Sequence, residues 1–180
     1  MKTWLALLLS CVAVSAAAQL GALDSRVRSN NYQGDEDEKP WQELEVDPPA
    51  FPQPQNLREF YVSAVATNTY LIDASTLSVG ADGVVRYVLV VRTSGGATNV
   101  SFEGMDCKQG AWKHYATGHA DGTWTRSRAM HAEWRPIENK PVNRHHAALS
   151  RDYFCPLRNA IGTAEEGRNA LRLGKHPAVN

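Results

Sequence analysis

The sequence has no excess of charge of either sign, few cysteines and no apolar run long enough to span a membrane. Its 180 residues include 19 basic and 19 acidic side chains, so no surplus of positive charge exists that could displace counterions from a phosphate backbone. Nucleic acid is therefore not an expected partner. The three cysteines lack the Cys-x-x-Cys spacing of zinc and redox motifs, and the length fits one globular domain.

The amino terminus predicts export. Lys2 precedes an apolar run over residues 5–18, which is shorter than the about 20 residues of a transmembrane helix and ends in three alanines. These features are typical of a signal peptide over residues 1–18, cleaved before Gln19, after which no transmembrane helix is expected. Cys11 leaves a second interpretation open, because the residues before it loosely resemble the motif at which bacterial lipoproteins are lipidated.

Cleavage before Gln19 would leave two cysteines, Cys107 and Cys155. In an oxidising compartment, two cysteines of one domain are expected to form a disulfide. A bridge that closes this loop would stabilise the fold by about 4 kcal/mol in the chain-entropy model. Two buried thiols are the alternative.

Residues 19–56 have the composition of an acidic, proline-rich linker. Residues 35–47 carry seven acids and one lysine, a net charge of −6, and four prolines follow within seven residues. Residues 48–180 carry 15 basic and 11 acidic side chains, a net charge of +4. We expect a mobile, self-repelling tether. The alternative is a segment that docks on a basic face of its own domain or of a partner, with Trp41 and Phe51 as apolar anchors.

Residues 57–161 form the predicted domain, in which apolar residues alternate with a period of two. An almost unbroken β-branched run covers residues 84–91, and hairpin-type turns such as Ala81-Asp82-Gly83 and Ser94-Gly95-Gly96 separate the candidate strands. No strand–helix–strand spacing is present, which excludes a parallel sheet. The predicted fold class is α+β, an antiparallel β-meander of five to six strands with one C-terminal helix packed across it.

The helix is predicted from four residues that fall within an arc of about 60° on a helical wheel. They are Val142, His146, Leu149 and Tyr153. Pro156 is expected to end this helix, and a Cys107–Cys155 bridge would pin its end to the end of a strand. Residues 162–180 are expected to be a loosely ordered tail, apart from a short helix over residues 165–171.

Three runs of residues carry a resemblance to a known family. They are Ser75-x-Leu77-Ser78-Val79-Gly80-x-Asp82-Gly83, Asn99-Val100-Ser101-Phe102-Glu103-Gly104-Met105-x-Cys107 and Asp152-Tyr153-Phe154-Cys155. The sequence thereby resembles the CNP-one-like family of small exported proteins of Gram-negative bacteria. The resemblance implies a periplasmic or outer-membrane-associated location and supports the pairing of the two cysteines. It implies no activity, so no catalytic residue is carried over, and the weak lipidation motif leaves surface anchoring open.

Sequence signatures of catalysis and cofactor binding are absent: there is no His-Glu-x-x-His, no Gly-x-Ser-x-Gly and no Walker or Rossmann glycine loop. Glu103 and Asp106 could form a carboxylate pair of the kind that glycosidases use, but a strand and a turn favour solvent-facing carboxylates. His146 is expected to be a hydrogen-bonded core residue rather than a metal ligand. We therefore predict that the protein is not an enzyme and holds no metal or cofactor. A small periplasmic hydrolase using carboxylate and His residues is the alternative.

Aromatic and basic residues crowd the second half of the predicted sheet. A partly exposed Trp framed by Arg would form a recognition surface, whereas ordinary sheet packing with a solvated basic rim is the alternative. The candidate binding patch consists of Trp112, Trp124, Arg126, Arg128, Trp134 and Arg135. The predicted function is that of a non-catalytic envelope domain that binds or scaffolds an unknown envelope protein or glycan.

Export makes a prediction about the mature amino terminus. Expressed with its leader in a Gram-negative host, the protein should give an intact mass that begins at Gln19, because signal peptidases cleave after small residues. A product that begins at Cys11 and carries acyl mass would contradict this and establish a lipoprotein.

Overall fold

The computed structural model describes residues 40–128 and 133–179, which form one antiparallel sheet with helices packed on it. The predicted signal peptide and residues 19–39 of the predicted linker lie outside these residues. The strands are β1 (Leu57–Glu59), β2 (Thr69–Asp73), β3 (Ser78–Val79), β4 (Val85–Arg92), β5 (Thr98–Asp106), β6 (Ala111–Gly118), β7 (Trp124–Arg126) and β8 (Arg135–Pro136). The main path of the sheet is β1-β2-β4-β5-β6-β7, with β3 paired to β4 and β8 paired to β6. The predicted α+β fold with an antiparallel sheet is confirmed.

The helical elements come mostly after the sheet in the sequence. They are α1 (Arg144–Ala148), a π-helical turn (Leu149–Phe154), α2 (Ala164–Leu173) and 3-10 turns at Pro54–Asn56 and Pro156–Arg158. Among the helices that the structure describes, none has the length and apolar character to cross a membrane.

The predicted helical stripe is confirmed for three of its four residues. His146, Leu149 and Tyr153 are buried against the sheet, whereas the side chain of Val142 is 82% exposed. The helix begins only at Arg144, so the helical spacing that placed Val142 on the stripe does not apply to that residue.

The central strand β4 is buried on both faces. Tyr87 and Leu89 pack beneath the helices on one face, which we call the helix face, while Val88 and Val90 lie on the opposite face. Residues 41–51, which we call the N-terminal segment, cover part of that second face, and we call it the segment face. The continuous β-branched run of the sequence reflects this double burial, since a strand with one wet face would alternate.

A β-bulge between β5 and β6 changes which residues of β6 share a face. Phe102 pairs with Ala116, but Glu103 pairs with His114, so Tyr115 is an extra residue on β6. Strict alternation along β6 would place Trp112, His114 and Ala116 on one face. Instead Ala116 packs in the segment-face core, whereas Trp112 stacks on His146 of α1.

A disulfide joins Cys107 to Cys155, as the sequence predicted, with the two Cα atoms 5.4 Å apart. Cys107 follows the last residue of β5, and Cys155 follows the π-helical turn. The bridge therefore ties the carboxyl end of that turn to the end of a central strand.

The predicted linker needs correction over residues 41–56, because the N-terminal segment docks on the sheet. Trp41 Nε1 donates to the carbonyl of Asp82 at 2.9 Å, and Glu43 accepts from Lys113 Nζ at 2.8 Å. Trp124 Nε1 donates to the carbonyl of Pro49 at 3.0 Å. Prolines prevent a helix or a sheet strand here, but they leave backbone carbonyls free to accept bonds from side chains.

The alternative interpretation of this segment therefore holds for the residues described. Trp41 packs edge-on against Trp134 with ring centroids 6.2 Å apart, and Phe51 packs on Trp124 at 5.6 Å. Both are the apolar anchors that the docked interpretation named. Asp47 adds an ion pair with Arg126.

The predicted loose tail also needs correction. In α2, Ala170 and Leu171 belong to the helix-face core, and the ring of buried His176 lies 2.8 Å from Glu166. Gly167 makes this close packing possible, because a Cβ at that position would lie 2.6 Å from side-chain atoms of Ile161 and Leu77. The predicted short helix over residues 165–171 lies where it was expected. It is longer than predicted, Ala164–Leu173, and packs against the helix-face core.

The Cys107–Cys155 disulfide is predicted to stabilise the folded protein. The double variant Cys107→Ala/Cys155→Ala should lower the free energy of unfolding by about 2–4 kcal/mol, because it restores the entropy of a 48-residue loop to the unfolded chain. Denaturant unfolding of both proteins, with the reduced wild type as a control, measures the difference. Identical midpoints for the oxidised wild type and the variant would contradict the prediction.

Candidate functional site

An open cleft lies at the edge of the sheet where β6, β7 and β8 meet. Its volume is about 390 Å³, within the range of ligand sites in proteins. Its lining residues are Trp112, His114, Thr117, Thr125, Arg126, Ser127, Arg128 and Arg135. Strand register brings them together, because Trp112 pairs with Arg135 and Thr117 pairs with Thr125.

Three arginines give the cleft its charge. Arg126 is committed in part, since it forms an ion pair with Asp47 and donates to the carbonyl of Val46 at 3.2 Å. Arg128 and Arg135 are exposed, and neither forms an ion pair with any residue that the structure describes. The cleft therefore presents two guanidinium groups to a ligand.

Trp112 lines the cleft and contacts two other groups. The guanidinium carbon of Arg135 lies 5.5 Å from the Trp112 ring centroid, and the His146 ring stacks on Trp112 at 3.8 Å. Trp112 is only 7% exposed, and its indole N–H has no hydrogen-bond partner among the described residues. The Trp112 ring is therefore almost fully covered, and little of it is exposed to the cleft.

A buried contact between Glu103 and His146 holds the ring that stacks on Trp112. Glu103 Oε2 lies 2.8 Å from His146 Nε2, with Glu103 4% and His146 2% exposed. Ser101 donates its hydroxyl to the other Glu103 oxygen at 2.7 Å. Burial alone would raise the pKa of Glu103, but the charge and hydrogen bond of His146, with the Ser101 bond, outweigh burial and lower it to about 2.

Two further histidines stand near this pair in different settings. Burial lowers the pKa of His145 to about 4, with a further lowering by His146, so His145 is neutral at pH 7. His114 lies on the cleft wall, where its ring nitrogens are 2.5 Å from Ser127 Oγ and 3.3 Å from Thr117 Oγ1. Burial also lowers the pKa of His114.

The expectation that Glu103 and Asp106 face solvent is wrong. Glu103 points to the helix face opposite Tyr87, where α1 covers it, and Asp106 is only 7% exposed. Asp106 caps the turn after β5, because its Oδ1 accepts from the amides of Lys108 and Gln109. The two acids thus serve different local structures. Our interpretation of His146 as a hydrogen-bonded core residue agrees with its position.

The structure brings four of the six patch residues to the cleft: Trp112, Arg126, Arg128 and Arg135. Trp124 and Trp134 do not line it. Trp124 pairs with Gly118 and packs in the segment-face core, and Trp134 donates its indole N–H to Glu43 at 3.1 Å. Both hold the N-terminal segment instead of a cleft ligand.

Sequence reasoning missed the neutral half of the cleft, which consists of His114, Thr117, Thr125 and Ser127. Thr125 and Ser127 are two apart in the sequence, so alternation could have placed them on one face. The bulge at Tyr115 hides the relation of His114 to Thr117. Among the residues described, no three His, Cys, Asp or Glu side chains are grouped as a metal site would require.

The stability that the buried Glu103–His146 pair contributes is predicted to depend on pH. The pKa of Glu103 is lowered from 4.5 to about 2. The contribution of its ionised carboxylate to the free energy of unfolding is therefore fully present above pH 4.5 and is lost as the pH falls towards 2. Glu103→Gln should lower the free energy of unfolding by about 3 kcal/mol at pH 7 and by much less near pH 2.5.

Denaturant unfolding across pH 2.5–7 measures this difference, with Glu59→Gln on the exposed strand β1 as the matched control. A Glu103→Gln penalty that stays constant over this range, or that the control shares, would contradict the prediction.

Comparison with known proteins places the chain in a family. A family model described as the CNP1-like family matches residues 36–172, which includes the N-terminal segment, the sheet and most of α2. The matched region therefore extends beyond the predicted domain of residues 57–161 on both sides. No curated protein and no solved structure matches the chain significantly. With more than half of its residues matched, and with the motifs that resembled the CNP-one-like family inside the match, this chain belongs to the CNP1-like family.

Proposed function

We propose that this protein is an exported, non-catalytic domain of the Gram-negative cell envelope that binds an acidic glycan. The observation that carries the proposal is the convergence of Arg126, Arg128 and Arg135 beside Trp112 in one open cleft. Guanidinium groups bind carboxylate and phosphate through planar, charge-assisted hydrogen bonds. Export is supported by the signal-like residues 1–18 and by the disulfide, which suits an oxidising compartment.

The shape and lining of the cleft favour a glycan over a protein as the partner. Protein interfaces centre on a broad apolar core, and their standard size is about 800 Å² for each partner. Among the described lining residues, Trp112 supplies the one indole and is nearly buried, whereas Thr117, Thr125 and Ser127 supply hydroxyl groups. Hydroxyl and imidazole groups match the hydrogen-bonding groups of a sugar.

A non-catalytic role is supported by the state of the two residues that could otherwise act as acid and base. Glu103 and His146 are buried, and each is the hydrogen-bond partner of the other. A general acid or base must come within about 3 Å of the proton that it transfers. Neither Glu103 nor His146 lines the cleft.

The proposal predicts that acidic oligosaccharide binds through the cleft arginines. Delipidated core oligosaccharide from lipopolysaccharide, which carries carboxylate and phosphate groups, serves as the probe in isothermal titration calorimetry. Arg128→Ala/Arg135→Ala should weaken binding at least tenfold, and raised salt should weaken binding to the wild type. Arg126 is left in place because its loss would also release Asp47.

The matched control is Arg92→Ala/Arg172→Ala, which removes two exposed arginines away from the cleft. It should bind the probe as the wild type does. Equal affinity for both double variants, or no binding by the wild type, would contradict the proposal. Binding of an envelope protein with no affinity for the oligosaccharide would replace the glycan by a protein partner.

A further inference from the structure

We infer that a second cavity, beside the disulfide, binds an amphiphile with a single aliphatic chain and an anionic head group. The cavity has a volume of about 590 Å³ and shares no lining residue with the arginine cleft, so the inference is independent of the glycan proposal. We call it the disulfide cavity. Its walls include the Cys107–Cys155 bridge, Ile137, Leu157, Ala178 and Val179.

The chemistry of these walls favours an alkyl chain as the ligand. Four aliphatic side chains lie beside the disulfide, and no aromatic side chain is among the described residues that line the cavity. Such a lining offers no ring for stacking, so hydrophobic and dispersion contacts are the main interactions that it provides. Each CH2 group that a ligand buries there should raise its affinity about fourfold.

Two arginines favour an anionic head group. Arg151 and Arg158 are exposed and line the cavity, and none of the described lining residues is acidic. Arg151 is committed in part, since its Nε donates to Asp152 at 2.7 Å. Arg158 forms no ion pair with any residue that the structure describes. A carboxylate or phosphate head group would accept charge-assisted hydrogen bonds from its guanidinium group.

Backbone strain holds Leu157 and Arg158 at this cavity. Their φ angles are 52° and 66°, in the left-handed region that is costly for both residue types. The disulfide fixes Cys155 directly before them, and the amide of Ile161 donates to the carbonyl of Phe154 at 3.0 Å, which closes the loop. Strain that the surroundings impose in this way is typical of functional sites.

The strained loop leaves a large apolar side chain uncovered. Leu157 lines the cavity, yet its side chain is 78% exposed. An alkyl chain in the cavity would cover Leu157 and remove its apolar surface from water. The strain and the exposure of Leu157 therefore both have a purpose in a protein that binds such a chain.

Dodecanoate, used below its critical micelle concentration, is the probe for the mature protein. Calorimetry measures its affinity, and nuclear Overhauser effects from its chain to the methyl groups of Ile137, Leu157 and Val179 locate it. Octanoate should bind at least tenfold more weakly, because it buries up to four fewer CH2 groups. Dodecyltrimethylammonium should also bind at least tenfold more weakly, because its cationic head group is repelled by the arginines.

Leu157→Asn tests the wall of the cavity. It should weaken dodecanoate binding about tenfold without lowering the midpoint of thermal unfolding, because asparagine tolerates the left-handed conformation. The matched control is Leu173→Asn, which changes a leucine that is 51% exposed at the end of α2 and does not line the cavity. The control should bind dodecanoate as the wild type does.

Arg158→Gln tests the head group. It should weaken dodecanoate binding about tenfold, the loss expected for a hydrogen bond to a charged group, and should bring the affinities for dodecanoate and dodecyltrimethylammonium closer together. Arg92→Gln, which removes an exposed arginine away from the cavity, is the matched control and should change neither affinity.

Each contrary result overturns a stated part of the inference. Equal wild-type affinities for dodecanoate and dodecyltrimethylammonium would overturn the anionic head group. Overhauser contacts elsewhere on the protein, or unchanged binding in Leu157→Asn, would overturn the site. Absence of dodecanoate binding would overturn the inference as a whole. The acidic-glycan proposal is tested separately, because its delipidated probe carries no alkyl chain for this cavity.

Discussion

The buried contact between Glu103 and His146 is the interaction on which the candidate site depends. It joins the central strand β5 to α1, and the His146 ring stacks on Trp112, which lines the cleft. Breaking such a pair by removing one partner leaves a buried polar group unpaired, which costs more than the pair contributes in net terms. The disulfide ties down the other end of the same helical unit. The cleft therefore lies beside a helical unit that a buried pair and a disulfide fix to the sheet.

Coverage of both sheet faces gives two of the acidic residues before the domain a structural role. Helices cover one face, while the N-terminal segment lies on the other and brings Glu43 and Asp47 to Lys113 and Arg126. The Glu43 carboxylate is partly buried and accepts three hydrogen bonds, which together with Lys113 lower its pKa against the effect of burial. Acidic residues of the segment thus compensate Lys113 and Arg126, whereas Arg128 and Arg135 at the cleft have no ion-pair partner among the described residues.

The strands and helices with regular spacing could be predicted from the sequence. The structure could not be predicted where that spacing is interrupted. Period-two alternation and hairpin turns predicted the antiparallel sheet, and helical spacing predicted the burial of His146. The bulge at Tyr115 breaks that alternation, so the face of His114 could not be read from spacing. Glu103 looked solvent-facing because its partner lies 43 residues away. The N-terminal segment has no period at all, since side-chain bonds to its carbonyls hold it, and such bonds leave no pattern in a sequence.

The most direct test of this account is nitrogen-15 nuclear magnetic resonance of the histidine side chains at pH 7. With Glu103 ionised, Nε2 of His146 must carry the proton that the carboxylate accepts. The account predicts a slowly exchanging His146 Hε2 proton, with nuclear Overhauser effects to the Trp112 indole, that is lost in Glu103→Ala. A rapidly exchanging Hε2 proton, or a His146 ring with no contact to Trp112, would contradict the central claim that this buried pair positions the cleft.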